Sequence, residues 1–186
     1  SLRPERLNVK TFAAADLALE YAENALLDAL GVAPTVLEQR VPLEALDLCR
    51  AMKPAEIAAL AAALRPRLLD RGQRLFAAGD DGAELYLVLR GRVDIRLPAT
   101  DDRYKRLAIY GPGTMFGDIA FLDPGPRAAE AVAVKPSELL ILSRADFDRL
   151  RGDHPDAAIA LLLALGQQQS RALRWSAREI QRLIQW

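Results

Sequence analysis

Phe116-Gly117-Asp118-Ile119-Ala120, followed after a short loop by Pro126-Arg127-Ala128-Ala129, is the stretch that decides the reading of this chain. Asp118 and Arg127 stand nine positions apart and flank Ile119–Leu122, which is predicted to form one helical turn. The first turn of a helix leaves backbone N–H groups free to meet an anion. Gly117 lets the backbone approach a ligand closely. A guanidinium gives a phosphate strong, directional hydrogen bonds, and a carboxylate accepts one from a sugar hydroxyl. Pro124-Gly125-Pro126 stiffens the loop that sets their separation. This equipment holds one hydroxyl and one phosphate at once, which points to sensing a ligand rather than transforming it.

Outward from this stretch the chain changes texture. Residues 67–143 read as short strands punctuated by glycine and proline, and residues 12–65 and 144–186 read as helical. Helices at both ends with strands between them imply an α+β or mainly β fold, not alternating βαβ units. Glu84–Arg90 is apolar on both faces and reads as a buried central strand ending at Gly91. Arg92–Leu97 alternates, with Val93, Ile95 and Leu97 on one face and Arg92, Asp94 and Arg96 on the other. That pattern predicts a half-buried strand. Arg67–Asp70, Arg103–Tyr110, Ala129–Val134 and Ser137–Ser143 complete the strands, and Gly79-Asp80-Asp81-Gly82 marks a turn. Short strands at this spacing predict a barrel or sandwich.

The helical parts have their own signals. Ala15, Leu19, Ala22, Leu26 and Leu30 recur at helical spacing, predicting a helix over Ala14–Leu30 that Gly31 ends. Val32–Thr35 reads as a linker, Leu43–Arg50 as a short helix, and a third helix starts at Pro54 with Glu56 near its positive end. The last segment carries a leucine-rich stripe from Leu161 to Leu183, which Gln167-Gln168-Gln169-Ser170 is expected to kink or break. Trp175 either packs or stacks on a flat ligand, and Arg171, Arg174 and Arg178 read as a solvated face.

Composition narrows the classes. The 186 residues carry 25 basic and 25 acidic side chains, and a net charge of zero argues against a nucleic-acid partner. No run is long and apolar enough to span a membrane, and no signal peptide is present. The single cysteine, Cys49, reads as a core residue of a protein in a reducing, cytoplasmic setting. His154 has no companion for a metal site and reads as a helix-start loop residue. No Gly-x-Ser-x-Gly elbow or phosphate-binding Gly-Lys-Ser/Thr loop is present, so no catalytic residue and no cofactor is expected.

With the turn glycines and the Leu85–Gly91 strand, the 116–129 stretch resembles the phosphate-binding cassette of the cyclic nucleotide-binding domain family. The resemblance covers about residues 41–165. It implies an eight-stranded jelly-roll (double-stranded β-helix) with N-terminal helices and a long C-terminal helical segment. It implies a ligand, cAMP or a related cyclic nucleotide, held by Phe116, Gly117, Asp118, Ile119, Ala120, Arg127, Ala128 and Ala129. Asp118 would take the ribose, Arg127 the phosphate, and the amides of Ile119, Ala120 and Ala128 the remaining polar atoms. Asp118 replaces the family's usual, longer Glu. Glu130 places a carboxylate near the phosphate. Ala128, where cGMP-tuned members often carry Thr, leans toward cAMP. A roll that has lost its ligand would instead pair Arg127 with Asp118 or Asp123 and serve as a structural or dimerisation domain.

Phe12–Leu27 resembles the last helix of a STAS domain, as found before such a roll in bacterial SulP anion transporters. That resemblance implies residues 1–34 as the end of a STAS-type region and 35–186 as the binding domain, with the roll at about 67–143 and helices over 144–186. It implies a regulatory module covalently attached to a sulfate or anion transporter, at the cytoplasmic face of the inner membrane; the long leucine-rich final helix separately points to a homodimer as a partner. Regulators of the catabolite-activator type add a DNA-binding helix-turn-helix after the long helix. With the chain reaching only Trp186, none is expected here.

Overall fold

The computed structural model describes residues 22, 26, 39–98 and 104–184. The chain divides into two compact units, Ser1–Glu38 and Gln39–Trp186. In the first, Ala22 and Leu26 are helical. The rest of the predicted Ala14–Leu30 helix, the 32–35 linker and the STAS-like segment lie outside the described residues.

The second unit opens with two 3₁₀ turns, Leu43–Ala45 and Asp47–Cys49, where the sequence predicts a single helix. Leu46 between them is extended at ψ 142° and only 1% exposed, so the pull of the core on its side chain interrupts the helical ladder. Helix α1 spans Pro54–Ala63. Its first turn is closed by the Glu56 carboxylate, which accepts from the Lys53 N–H at 2.8 Å.

The strands follow as β1 (Arg65–Leu69), β2 (Arg74–Phe76), β3 (Asp81–Gly82), β4 (Glu84–Pro98), β5 (Tyr104–Tyr110) and β6 (Met115–Phe116). After them come α2 (Asp118–Leu122), β7 (Gly125–Pro126), β8 (Glu130–Ser143), α3 (Arg144–Asp153) and α4 (Pro155–Ile184). All pairings are antiparallel. One sheet runs β1-β8-β4-β5, with β2 on β8 and β6 on β4, and β3 pairs with β7. The expected mixed fold, an antiparallel roll followed by a long helix, is what forms. β1 closes on the last strand, with Arg65 opposite Ile141 and Leu69 opposite Ser137.

Two predicted strand pairs are each one long strand. Glu84–Arg90 and Arg92–Leu97 join through Gly91, which bends β4 at φ +90° without ending it. A Cβ there would stand 2.4 Å from the Pro136 carbonyl oxygen, so the close approach of the two strands requires glycine. Likewise Ala129–Val134 and Ser137–Ser143 join into β8 across Lys135-Pro136.

Strand β4 divides two cores. Leu85, Leu87 and Leu89 face the helical layer with Leu60, Leu142, Phe147, Leu161 and Leu165. Tyr86 and Val88 face the roll interior with Phe116, Ala131 and Leu139. This alternation explains why the strand is apolar on both faces. The alternating half of β4 departs from expectation, because its polar face is not solvated. Asp94 is fully buried and accepts from Arg106 at 2.9 Å, and the Arg96 guanidinium lies 4.3 Å from the Tyr104 ring centre. Pairing removes the penalty that would otherwise keep these charges in water.

Cys49 is buried as predicted, and burial followed by the nearby Glu44 pushes its thiol up to about 11. His154 links the last two helices, donating its N–H to the Leu150 carbonyl and accepting from the Ala157 N–H. Ser143 N-caps α3: its hydroxyl oxygen accepts from the Asp146 N–H, and its hydroxyl donates to the Asp146 carboxylate. Asp146 also accepts two hydrogen bonds from Arg65, tying α3 to the start of β1. Helix α4 runs unbroken through Gln167–Ser170, against the expected kink. Polar side chains do not break a helix when their backbone stays paired, and Gln169 makes a tertiary contact there.

Candidate functional site

Gly117 ends β6 in the left-handed region at φ +83° and turns the chain into α2. A Cβ on it would lie 2.6 Å from the Glu84 carbonyl oxygen and 3.2 Å from Arg127 Nη1. The glycine therefore meets the arginine that lies ten residues on. The first intrahelical bond of α2 runs from the Phe121 N–H to the Gly117 carbonyl. The Asp118, Ile119 and Ala120 amides precede it and have no acceptor within the helix.

The loop carrying Arg127 is pinned to the 79–82 turn. Arg127 N–H donates to the Asp80 carbonyl at 2.8 Å, the Gly79 N–H donates to the Arg127 carbonyl at 2.8 Å, and Gly82 pairs with Gly125. Gly82 leaves room for the arginine: a Cβ there would stand 2.1 Å from Arg127 Nε. The guanidinium points inward, with its side chain only 4% exposed. It sits 4.3 Å from the Phe76 ring centre and 5.5 Å from that of Tyr86. Its Nη2 donates to the Glu84 carboxylate at 2.7 Å and to the Glu84 carbonyl at 3.3 Å. Its Nε is buried without a hydrogen-bond partner.

The partner of Arg127 is thus Glu84, not Asp118 or Asp123 as a ligand-free roll was expected to show. Glu84 escaped the sequence reading. Its one signal was a lone carboxylate at the head of the apolar run Leu85–Leu89. Glu84 also accepts from the Tyr86 hydroxyl at 3.3 Å, and burial followed by this carboxylate pushes the Tyr86 phenol up to about 12.

Asp118 is half-buried at the start of α2, and its carboxylate accepts a hydrogen bond from Gln169 of α4. Tyr110 titrates above its ordinary value, first through burial and then through the charge of Asp118. Phe116 is 2% exposed and stacks on Tyr86 at 5.0 Å, so it builds the floor of the site. Ala129 is buried, whereas Ile119 and Ala128 are exposed. Glu130 lies between two cations, 3.8 Å from Arg74 and 3.9 Å from Arg96. Its charge is offset there, which lessens the repulsion expected of it. Trp175 is 66% exposed. Among the described residues no group of three or more His, Cys, Asp or Glu side chains gathers to hold a metal ion, and no helix is long and apolar enough to cross a membrane.

Comparison with known proteins agrees with this geometry. Residues 66–154 match the family described as Cyclic nucleotide-binding domain. A CRP-like cAMP-activated global transcriptional regulator of Mycobacterium tuberculosis is 34% identical over 120 residues, covering 64% of this chain and 54% of that protein. Glutaminase 2 of Bradyrhizobium diazoefficiens is 32% identical over 170 residues, which is 91% of this chain but 26% of the enzyme. The N-terminal domain of a transcriptional regulator from Streptomyces coelicolor superposes with a TM-score of 0.62 at 33% identity, covering 70% of this chain and 93% of that one. The chain spans about half the length of the curated relatives it matches first.

Proposed function

Because the chain belongs to the cyclic nucleotide-binding domain family, we propose that its roll binds cAMP in preference to cGMP and relays occupancy through α4. The observation that carries this is Arg127: a guanidinium almost wholly buried in the roll, with Nε unpartnered. A buried polar group without a partner costs about 1–3 kcal/mol, so the seat favours an incoming anion. The Glu84 side chain is 39% exposed, so it can turn to water when a phosphate takes its place. The free amides of α2 would share the phosphate and Asp118 would accept from the ribose hydroxyl.

Asp118 supplies the output. Its carboxylate holds Gln169 of α4, so a ribose hydroxyl competes with the helix for the same acceptor. Ligand then favours the arrangement in which Gln169 has let go, which is a differential affinity between two states. Breaking a hydrogen bond to a charged group is worth about 1.5–3 kcal/mol, enough to shift such an equilibrium 10- to 100-fold.

The match to a glutaminase takes in part of residues 1–34 as well as the roll. That supports a regulatory module carried with its N-terminal segment on a larger polypeptide. The STAS-like segment favours a sulfate or anion transporter as the parent, with this module at the cytoplasmic face of the membrane. The glutaminase match favours an amidohydrolase. Sulfate uptake into vesicles against ammonia release from glutamine, each with the intact polypeptide and cAMP, separates these parents.

Calorimetry with cAMP and cGMP tests the binding itself. The expected result is saturable heat, tighter for cAMP and lost in Arg127→Ala. A folded protein that gives neither heat nor a thermal shift at millimolar nucleotide would overturn the proposal.

A further inference from the structure

A crevice of about 360 Å³ lies where the helical layer meets the edge of the roll. Its walls come from three places distant in sequence: the second 3₁₀ turn with Leu46 just before it, the end of β5 with the turn into β6, and the middle of α4. Leu46, Leu48, Ile109 and Met115 supply its apolar part, and Tyr110, Gln168 and Arg171 its polar part. That is the size and mixture of a small-molecule site, a class that begins at about 300 Å³.

The crevice is separate from the seat built around Arg127. Met115 and Phe116 are neighbours on β6, so their side chains take opposite faces of the sheet. Met115 packs with the helical layer and Phe116 with the roll interior. The crevice takes Met115, whereas Phe116 floors the Arg127 site, and neither Asp118 nor Arg127 lines the crevice. Its polar groups are also unspent. Among the described residues the side chains of Tyr110, Gln168 and Arg171 make no hydrogen bond or ion pair. The one carboxylate on the rim, Asp47, is held by Arg50 at 2.9 Å, which leaves the Arg171 charge without a counter-charge there.

We propose that this crevice binds a small amphipathic anion. An aromatic or branched body packs against Leu46, Leu48, Ile109 and Met115, and a carboxylate or sulfonate meets Arg171, with the Gln168 amide and the Tyr110 hydroxyl donating beside it. A guanidinium fork matches two oxygens of such a group. Ile109, 42% exposed, leaves water when an apolar body covers it. A cation would meet the Arg171 charge, and a sugar would leave the apolar wall wet. An occupant ties α4 to β5 next to Gln169, and the site stands whether or not the roll takes a nucleotide.

Fluorescence titration of the 186-residue chain with 8-anilinonaphthalene-1-sulfonate, which carries an apolar ring system and one sulfonate, tests the proposal. Saturable binding is expected, weakened about 10-fold by Arg171→Glu through loss of the charged hydrogen bonds. Ile109→Trp, whose indole fills the crevice, is expected to abolish it, with unchanged circular dichroism. Arg174→Glu, on the same helix but outside the crevice, leaves the affinity unchanged. In the unmodified chain the methyl resonances of Leu46, Leu48, Ile109 and Met115 are expected to shift on binding. The absence of saturable binding up to millimolar probe would overturn the site, as would equal affinity in Arg171→Glu. Binding that Arg127→Ala loses and Arg171→Glu keeps would overturn it in favour of the roll. Shifts confined to the Leu173, Ile180 and Ile184 methyls would overturn it in favour of the exposed end of α4.

Discussion

The guanidinium of Arg127 meets the carboxylate of Glu84 at 2.7 Å, and the two residues are joined only by the fold, since 43 positions separate them in sequence. If the phosphate takes the Arg127 seat as proposed, Glu84 competes with it for the guanidinium. Glu84→Gln is expected to tighten cAMP binding roughly 10-fold (about 1.4 kcal/mol) by removing the competing charge. It is also expected to lower stability in the absence of ligand by about 1 kcal/mol, because Arg127 loses its counter-charge while the Glu84 carbonyl and the aromatic rings remain. Calorimetry and urea unfolding on the same sample read both effects. Weaker binding in the variant would show that Glu84 supports the ligand seat instead of competing for it.

Gly82 is where the space for Arg127 is set. A methyl group there would overlap Nε at 2.1 Å, so Gly82→Ala must push the guanidinium out of its seat. Loss of cAMP affinity by about 100-fold, with a destabilisation of about 1–3 kcal/mol, is the expected result. Binding at the wild-type level in a folded Gly82→Ala protein would mean that the phosphate is held elsewhere.

Gln169 and Asp118 offer a test of the relay. Gln169→Ala removes the donor and leaves Asp118 able to reach solvent or ligand. Amide exchange in α4 around residue 169 is expected to speed up about 10-fold, and cAMP affinity to rise by a similar factor. If exchange quickens but affinity is unchanged, the contact steadies the helix without competing for ligand.

Acid stability has one identifiable contributor. The Asp146 carboxyl is held below the ordinary carboxylate range, first by its hydrogen bonds from Arg65 and then by Ser143. The folded value is lower than the unfolded one of about 4, so the stabilisation is present above pH ~4 and is lost as pH falls through the lowered value. Urea midpoints are expected to drop between pH 6 and pH 3 in the wild type. Asp146→Asn should be less stable at pH 6 and show a shallower drop. Equal slopes in the two proteins would place the acid sensitivity elsewhere.

Local patterns were enough to expose the fold. Alternation in β4 and the turn glycines mark the roll, and the Gly117-Asp118…Arg127 spacing marks the proposed phosphate loop, because each is a backbone requirement written in neighbouring residues. What stayed hidden was long-range. Nothing near Glu84 says that it faces Arg127, and nothing near Asp94 says that a strand alternating toward water will be covered by Arg106. The glutamine run on α4 was visible but misread. It looked like a helix breaker because its value lies in a contact with Asp118, 51 positions away. Gly91 and Pro136 misled in the same way. They are usual strand breakers, but here they bend two strands past each other.

The pairing of Arg65 with Ile141 has a consequence for how the domain comes into being. The first strand of the roll has no neighbour until nearly the last residue of β8 exists, and β4 waits for that same strand along most of its length. Such non-local closure makes folding slow compared with a helical domain of equal size. On the ribosome, Val93–Pro98 can pair with Tyr104–Tyr110 early, but β1, β2 and most of the first half of β4 must wait for β8 to emerge before the sheet and its core can close. A chain stopped before β8 is expected to aggregate rather than form half a roll.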